Sequence, residues 1–127
     1  MVTQAGGRER PESGFELYAW FFMRISGVLL VFLALGHLVI MHVLNNVDVI
    51  NYKFVADRWA NPIWRVYDWT MLMLALLHGF NGARILVDDY VGSRGWRLVW
   101  LTSLAVLMLL TMIMGTEVVL TFRPATM

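Results

Sequence analysis

Charged residues divide this chain into three long apolar stretches. No Asp, Glu, Lys or Arg occurs in residues 25–47, 69–83 or 98–116. A transmembrane helix needs about 20 mostly apolar residues to cross a hydrocarbon core about 30 Å thick. Helices are favoured over strands because lipid offers the backbone no hydrogen-bond partners, and three strands cannot close a barrel. We therefore predict an all-α integral membrane protein with three transmembrane helices, near residues 19–44, 63–88 and 96–122.

The composition supports a membrane location. The 127 residues are 59% hydrophobic and 15% charged, and the mean hydropathy is +0.64. Soluble domains average roughly 45–50% apolar and about 25% charged residues, and so short a chain has too little interior to hide this apolar surface from water. The lipid bilayer is the expected partner. A net charge of +1 gives no basic face for nucleic acid, and without cysteine the chain can ligate no iron–sulfur cluster.

The segments outside the spans are short. Residues 1–18 read as a polar tail without the apolar core of a cleavable signal peptide, residues 19–122 as a membrane-anchor domain, and residues 123–127 as a short C-terminal tail. Six basic residues lie on the side of the N-terminus and the second loop, against four on the other side. Because basic residues favour the cytoplasmic side, we predict a cytoplasmic N-terminus in a multi-pass protein of the cell inner (cytoplasmic) membrane.

Ionisable side chains inside the spans are the first candidates for function, because they are costly to place in lipid. His37 and His42 lie in the first span, His78 near the middle of the second, and Glu117 late in the third. His42 and Glu117 lie near the ends of their spans, where the polar end of each side chain can reach the interface between membrane and water. His37 fits either a hydrogen bond between helices or a ligand in a pocket.

The stretch after His78 places further polar groups on the same helix. Eleven residues at 100° each make three turns plus 20°, so Asp89 shares a face with His78 about 16 Å along the axis, and Tyr90 follows. Neutral imidazole is a good ligand for haem iron. A phenol beside a carboxylate suits a quinone, which needs a hydrogen-bond donor and a proton path. Arg24 at the same rim could pair with haem propionates or with a quinone oxygen. Two alternatives remain open: His78 as a structural histidine packed between helices, and Asp89 and Tyr90 as a helix end at the membrane interface.

This arrangement resembles a known family. A histidine followed eleven and twelve residues later by Asp-Tyr, here His78, Asp89 and Tyr90, together with Arg-Ile-Ser-Gly at residues 24–27, is similar to the hydrophobic D-type membrane-anchor subunits of succinate dehydrogenase (respiratory complex II, the small subunit of the cytochrome b556 family). The resemblance in topology covers residues 15–122. It implies three transmembrane helices and a cytoplasmic N-terminus.

The resemblance also implies roles for individual residues. His78 would be one axial ligand of a haem b whose other ligand comes from a second membrane-anchor subunit, and Arg24 would face the haem propionates. Tyr90 and Asp89 would bind ubiquinone or menaquinone, with Ser26 as a weaker candidate at the quinone site.

The function implied is that of a non-catalytic anchor in the respiratory chain and the tricarboxylic acid cycle. A flavoprotein subunit would oxidise succinate, and an iron–sulfur subunit would pass the electrons to a quinone. The resemblance assigns no role to His37 and His42, which leaves a second haem or a structural role open. The alternatives are a fumarate reductase anchor, or a haem-free structural or accessory membrane subunit. A self-contained enzyme is disfavoured because no nucleophile lies beside a base.

Overall fold

A computed structural model describes residues 14–123, which contain four α-helices and no strand. The helices are α1 (Phe15–Leu38, continued by a π-helical turn, Val39–Val43), α2 (Tyr52–Trp59), α3 (Pro62–Tyr90) and α4 (Arg94–Thr121), with a 3₁₀ turn at Val47–Val49 before α2. Three helices are long and apolar enough to cross a membrane: α1 with its π turn, α3 and α4. The predicted all-α, three-span fold is confirmed.

Two differences from the predicted organisation exceed two residues, whereas the other span boundaries agree within two residues. Residues 15–18, expected in the N-terminal tail, form the first turn of α1. Residues 14 and 123 are outside the helices, as expected of the tails, and residues 1–13 and 124–127 lie outside the described part of the chain. The second difference is α2, which the sequence analysis did not predict. This helix has eight residues, and its mixed polar and apolar sequence gives no apolar run to detect.

Side-chain caps fix where three of the helices begin. In each case an oxygen of the preceding residue accepts a hydrogen bond from a backbone N–H two or three positions later, at 2.9–3.3 Å. The capping residues are Asn51 for α2, Asn61 for α3 and Ser93 for α4. Such caps satisfy N–H groups that have no partner within the helix. Pro62 opens α3 at a position where its missing N–H costs nothing.

The central helix is α3, which packs against both α1 and α4. Its contact with α4 is close at Gly115, where a Cβ would overlap the side chain of Leu72. Nearby, Trp69 Nε1 donates to Thr116 Oγ1 at 3.0 Å. A small residue at the crossing allows the two backbones to approach, as is common between membrane helices.

Few side chains are hidden inside the bundle. The buried ones are four small or medium apolar residues and two polar residues: Ala19, Ala56, Met73 and Val119, with Ser26 and Asn81. Most large apolar side chains point outward instead, as lipid and membrane partners permit. The bundle has two ends. The Tyr90 end holds the start of α1 and the turn of residues 91–93, and the α2 end holds α2 and the end of α4.

Candidate functional site

The imidazole of His78 lies against α1. Its Nδ1 is 2.8 Å from the hydroxyl of Ser26, a residue that is only 1% exposed. That hydroxyl also donates to the carbonyl oxygen of Phe22 at 2.6 Å. A Cβ added at Gly27 would lie 3.3 Å from the Cε1 of His78, so the absence of a side chain there gives the ring its room. Within residues 14–123, no hydrogen-bond partner contacts Nε2.

The surface of α3 beside His78 is shallow. A Cβ at Gly79 would meet nothing within 4 Å. With Ala83 and Phe80, Gly79 lines an open apolar groove of about 260 Å³ between α3 and α4. The described chain therefore leaves apolar space next to the turn that carries the histidine.

Arg24 provides a cation on α1, one turn before the residues that contact His78. Its guanidinium lies 4.3 Å from the ring centroid of Trp20, and the residue is exposed. Residues three apart are neighbours on a helix surface, so Arg24 lies on the same side of α1 as Gly27, whose position faces the His78 ring. No carboxylate of residues 14–123 pairs with Arg24. This cation can therefore meet an anion from outside the described chain.

Asp89 and Tyr90 are the last two residues of α3. Tyr90 is 85% exposed and Asp89 is exposed as well. Twelve residues separate Tyr90 from His78, which corresponds to about 18 Å along the helix. The phenol and the carboxylate thus stand at the end of the bundle, accessible to another subunit or a bound molecule.

Arg84 joins α1 to α3 at a height between His78 and the Tyr90 end of the bundle. Its Nη atoms donate to both carboxylate oxygens of Glu16 at 3.0 and 3.1 Å, and its Nη1 lies 3.6 Å from Asp88. Its Nε donates to Asn81 Oδ1 at 3.1 Å. Because this bond fixes the amide orientation of Asn81, the Nδ2 group is the donor left over. Asn81 is 8% exposed, and its Nδ2 has no partner in the described residues, which is unusual for a buried polar atom.

A second polar cluster lies at the α2 end, around Asp68. The carboxylate of Asp68 accepts hydrogen bonds from Arg58 Nη2 at 3.1 Å and from Trp59 Nε1 at 2.8 Å. His37 Nδ1 lies 3.4 Å from the same carboxylate, without the alignment of a hydrogen bond. The side chain of Arg58 is 7% exposed and stacks 4.5 Å from the ring of Trp64. This cluster holds α2 against α1 and α3.

The sequence analysis missed this cluster, although a signal for it existed. Asp68 lies inside the predicted second span, and the rule that singled out the histidines applies equally to an acidic residue. His42, in the π turn, and Glu117, in α4, are exposed and lie toward the α2 end. The described residues contain no group of three or more His, Cys, Asp or Glu side chains able to hold a metal ion.

The fold and the site define a class of protein: a multi-pass α-helical membrane subunit with a histidine in the middle of its second span. The family model described as "Succinate dehydrogenase/Fumarate reductase transmembrane subunit" matches residues 9–117, so the chain belongs to this family of membrane anchors. The Archaeoglobus fulgidus protein named "Succinate dehydrogenase hydrophobic membrane anchor subunit" is 33% identical over 87 residues, which cover 68% of this chain and 74% of that protein. The resemblance identified from the sequence is confirmed.

Proposed function

We propose that this chain anchors a succinate:quinone oxidoreductase in the cell inner membrane, binds haem b together with a second anchor subunit, and forms part of the quinone-reduction site. A flavoprotein subunit and an iron–sulfur subunit dock at the Tyr90 end, which faces the cytoplasm together with the N-terminus. The chain performs no succinate chemistry itself. Its tasks are attachment and the shaping of sites for haem and quinone.

The observation that carries this proposal is the setting of His78. Its ring is held at Nδ1 while Nε2 has no partner in the described chain, which is the state of a histidine ready to bind a metal. The site also suits the carboxylates of a haem. Asn81 Nδ2 is a buried donor without a partner, three residues from His78 toward the Tyr90 end, and Arg24 is an exposed cation. When bound, haem b would supply a one-electron store near the quinone site.

Tyr90 and Asp89 carry the quinone part of the proposal. Reduction of a quinone to quinol takes up two electrons and two protons. The Tyr90 hydroxyl can donate a hydrogen bond to a quinone carbonyl oxygen, which holds the ring and favours negative charge on that oxygen. The Asp89 carboxylate at the bundle end can carry protons from water toward the same oxygen. The electrons come from the iron–sulfur subunit.

The same residues serve a fumarate reductase anchor, in which quinol is oxidised and fumarate is reduced. The matching family model includes both kinds of enzyme. The direction follows from the potential of the quinone and from the partner subunits. We favour succinate oxidation because the relative from Archaeoglobus fulgidus bears the name of a succinate dehydrogenase subunit.

The test is purification of the tagged full chain from its native membranes in mild detergent, followed by measurement of the haem-to-flavin ratio. We expect chains that bear flavin and iron–sulfur clusters to copurify. His78→Ala should abolish most of the haem while the complex still assembles, because the iron loses a ligand that the described chain does not replace. His42→Ala removes an exposed histidine of the same bundle and should leave the ratio unchanged.

Two results would contradict the proposal. Recovery of the chain without flavin- and iron–sulfur-bearing partners would favour a structural or accessory membrane subunit. A normal haem content in the His78→Ala complex would exclude ligation by this histidine.

A further inference from the structure

We infer that Ser26 is a positioning residue that fixes the tautomer of His78, keeping the proton on Nδ1 and the lone pair on Nε2. The link to haem rests on the proposed function, whereas the tautomer itself follows from contacts within the chain. Ser26 lies 52 positions from His78 in the sequence, so neither residue alone suggests the pairing.

The assignment follows from counting protons at the Ser26 hydroxyl. A serine hydroxyl has one proton to donate and two lone pairs to accept with. The carbonyl oxygen of Phe22 can only accept, and it lies 2.6 Å from Ser26 Oγ, within the usual range for O–H···O bonds. The single hydroxyl proton therefore points to Phe22. His78 Nδ1, at 2.8 Å, must then donate to the Ser26 oxygen, so Nδ1 carries the proton.

The surroundings allow no easy exchange of these roles. Ser26 is 1% exposed, so water has little access to take over either hydrogen bond. The bond to the carbonyl four residues earlier is a common one for serine within a helix. At the ring atom next to Nδ1 the imidazole meets the following residue of α1, Gly27, where an added Cβ would lie 3.3 Å from Cε1. The ring is thus held by a hydrogen bond at one atom and by the α1 backbone near another.

Two consequences follow for a metal at Nε2. First, neutral imidazole is the metal-binding form, and a hydrogen bond at the other nitrogen sets which one binds. Second, a hydroxyl that already donates one hydrogen bond becomes a better acceptor. It therefore draws more strongly on the Nδ1 proton and makes the imidazole more electron-donating. An iron bound at Nε2 would be held in its oxidised form more firmly than without Ser26.

The first experiment reads the tautomer without haem. The full chain, labelled with ¹⁵N-histidine, is reconstituted in lipid nanodiscs, and the His78 signals are assigned by their loss in His78→Gln. We expect a protonated Nδ1 and an unprotonated Nε2. Ser26→Ala should give a mixture of tautomers, and Ser26→Thr, which keeps the hydroxyl, should restore the original signals. A protonated Nε2 in the unmodified chain would overturn the inference.

The second experiment measures the haem potential in the assembled complex. In Ser26→Ala the ratio of reduced to oxidised haem at a fixed ambient potential should rise by about threefold to tenfold, the size expected for one hydrogen bond; tenfold equals 59 mV for a one-electron couple. Ser26→Thr should stay near the unmodified value, and Ser103→Ala, an exposed serine of α4, should match it.

The two experiments separate the inference from the proposed function. A complex without haem whose chain still shows a protonated Nδ1 at His78 would refute the haem proposal and leave the tautomer assignment standing. Equal potentials in the Ser26→Ala and unmodified complexes would refute the effect of Ser26 on the metal. Equal shifts in Ser26→Ala and Ser26→Thr would indicate a packing effect and would also count against it.

Discussion

The interface of α1 and α3 contains two histidines in contrasting settings. Ser26 and His37 are eleven residues apart on α1, and Asp68 and His78 are ten apart on α3, so two polar layers lie about 15 Å from each other. In the layer nearer the Tyr90 end, His78 meets a neutral hydroxyl, and its Nε2 has no partner within residues 14–123. In the other layer, His37 lies beside a carboxylate that Arg58 also contacts.

The difference teaches how to interpret a histidine within a membrane span. Both side chains sit between helices, and both are expensive to place in lipid. In the layer at the α2 end the carboxylate of Asp68 is paired within the chain, by Arg58 and Trp59, although His37 Nδ1 and Arg58 Nε have no hydrogen bond within residues 14–123. The charged pair of this layer stabilises the fold. In the layer of His78, within residues 14–123, no charged group pairs with the imidazole, and its Nε2 and the nearby Asn81 Nδ2 have no hydrogen-bond partner. This is the setting in which we propose a haem ligand.

The largest effect is expected from breaking the layer at the α2 end. Arg58→Ala leaves the carboxylate of Asp68, with its side chain only 13% exposed, without its cation. Removing one partner of a buried ion pair costs about 3–5 kcal/mol, and thermal unfolding of the chain in detergent would measure the loss.

The matched control for Arg58→Ala is Lys53→Ala. Lys53 pairs with Asp57 at 3.1 Å, but both side chains are mostly exposed, so the change should cost about 1 kcal/mol or less. Equal losses in the two variants would mean that the Asp68 cluster does not stabilise the fold. Haem content should survive either change, since neither touches the His78 layer.

A smaller effect is expected at the Tyr90 end. Tyr90→Phe removes the hydroxyl proposed to bind quinone. One hydrogen bond contributes about 1 kcal/mol, so we expect the rate of quinone reduction to fall about fivefold. Succinate oxidation by a soluble dye should be unaffected, because the chain takes no part in it.

Tyr52→Phe is the control at the opposite end. The Tyr52 hydroxyl donates to the carbonyl oxygen of Arg123 at 2.7 Å, so this variant loses a hydrogen bond of the fold without approaching the proposed quinone site. If both tyrosine variants slow quinone reduction alike, the hydroxyl of Tyr90 has no special role.

The smallest effect is expected for Gly27→Ala, which tests the room left for His78. The new Cβ would lie 3.3 Å from Cε1, so the ring must shift slightly, at about 0.5–1.5 kcal/mol. Alanine is favoured over glycine in a helix by about 1 kcal/mol, so thermal stability should change little while haem is released somewhat faster. Gly95→Ala, where a Cβ meets open space, should not affect haem release. Unchanged haem release in Gly27→Ala would show that the ring position is not critical.

The spans could be predicted from the sequence because charge-free stretches leave lipid as the only suitable solvent. The pairing of helix faces could not. Apolar side chains surround α1, α3 and α4 on every side, so hydropathy does not mark which face packs. The contact between Ser26 and His78 depends on that packing, as does the ion pair of Arg58 with Asp68. The short helix α2 escaped notice because its stability comes from Asp68 and its neighbours, not from an apolar run of its own.

The contacts that hold α2 come from distant parts of the chain, which has a consequence for biogenesis. Arg58 is synthesised before Asp68, and the rings of Tyr52 and Trp59 rest on Phe122, which follows the last span. Helix α2 therefore lacks part of its packing surface until residue 122 has left the ribosome. We expect α2 to pack in a single late step, after all three spans have entered the bilayer.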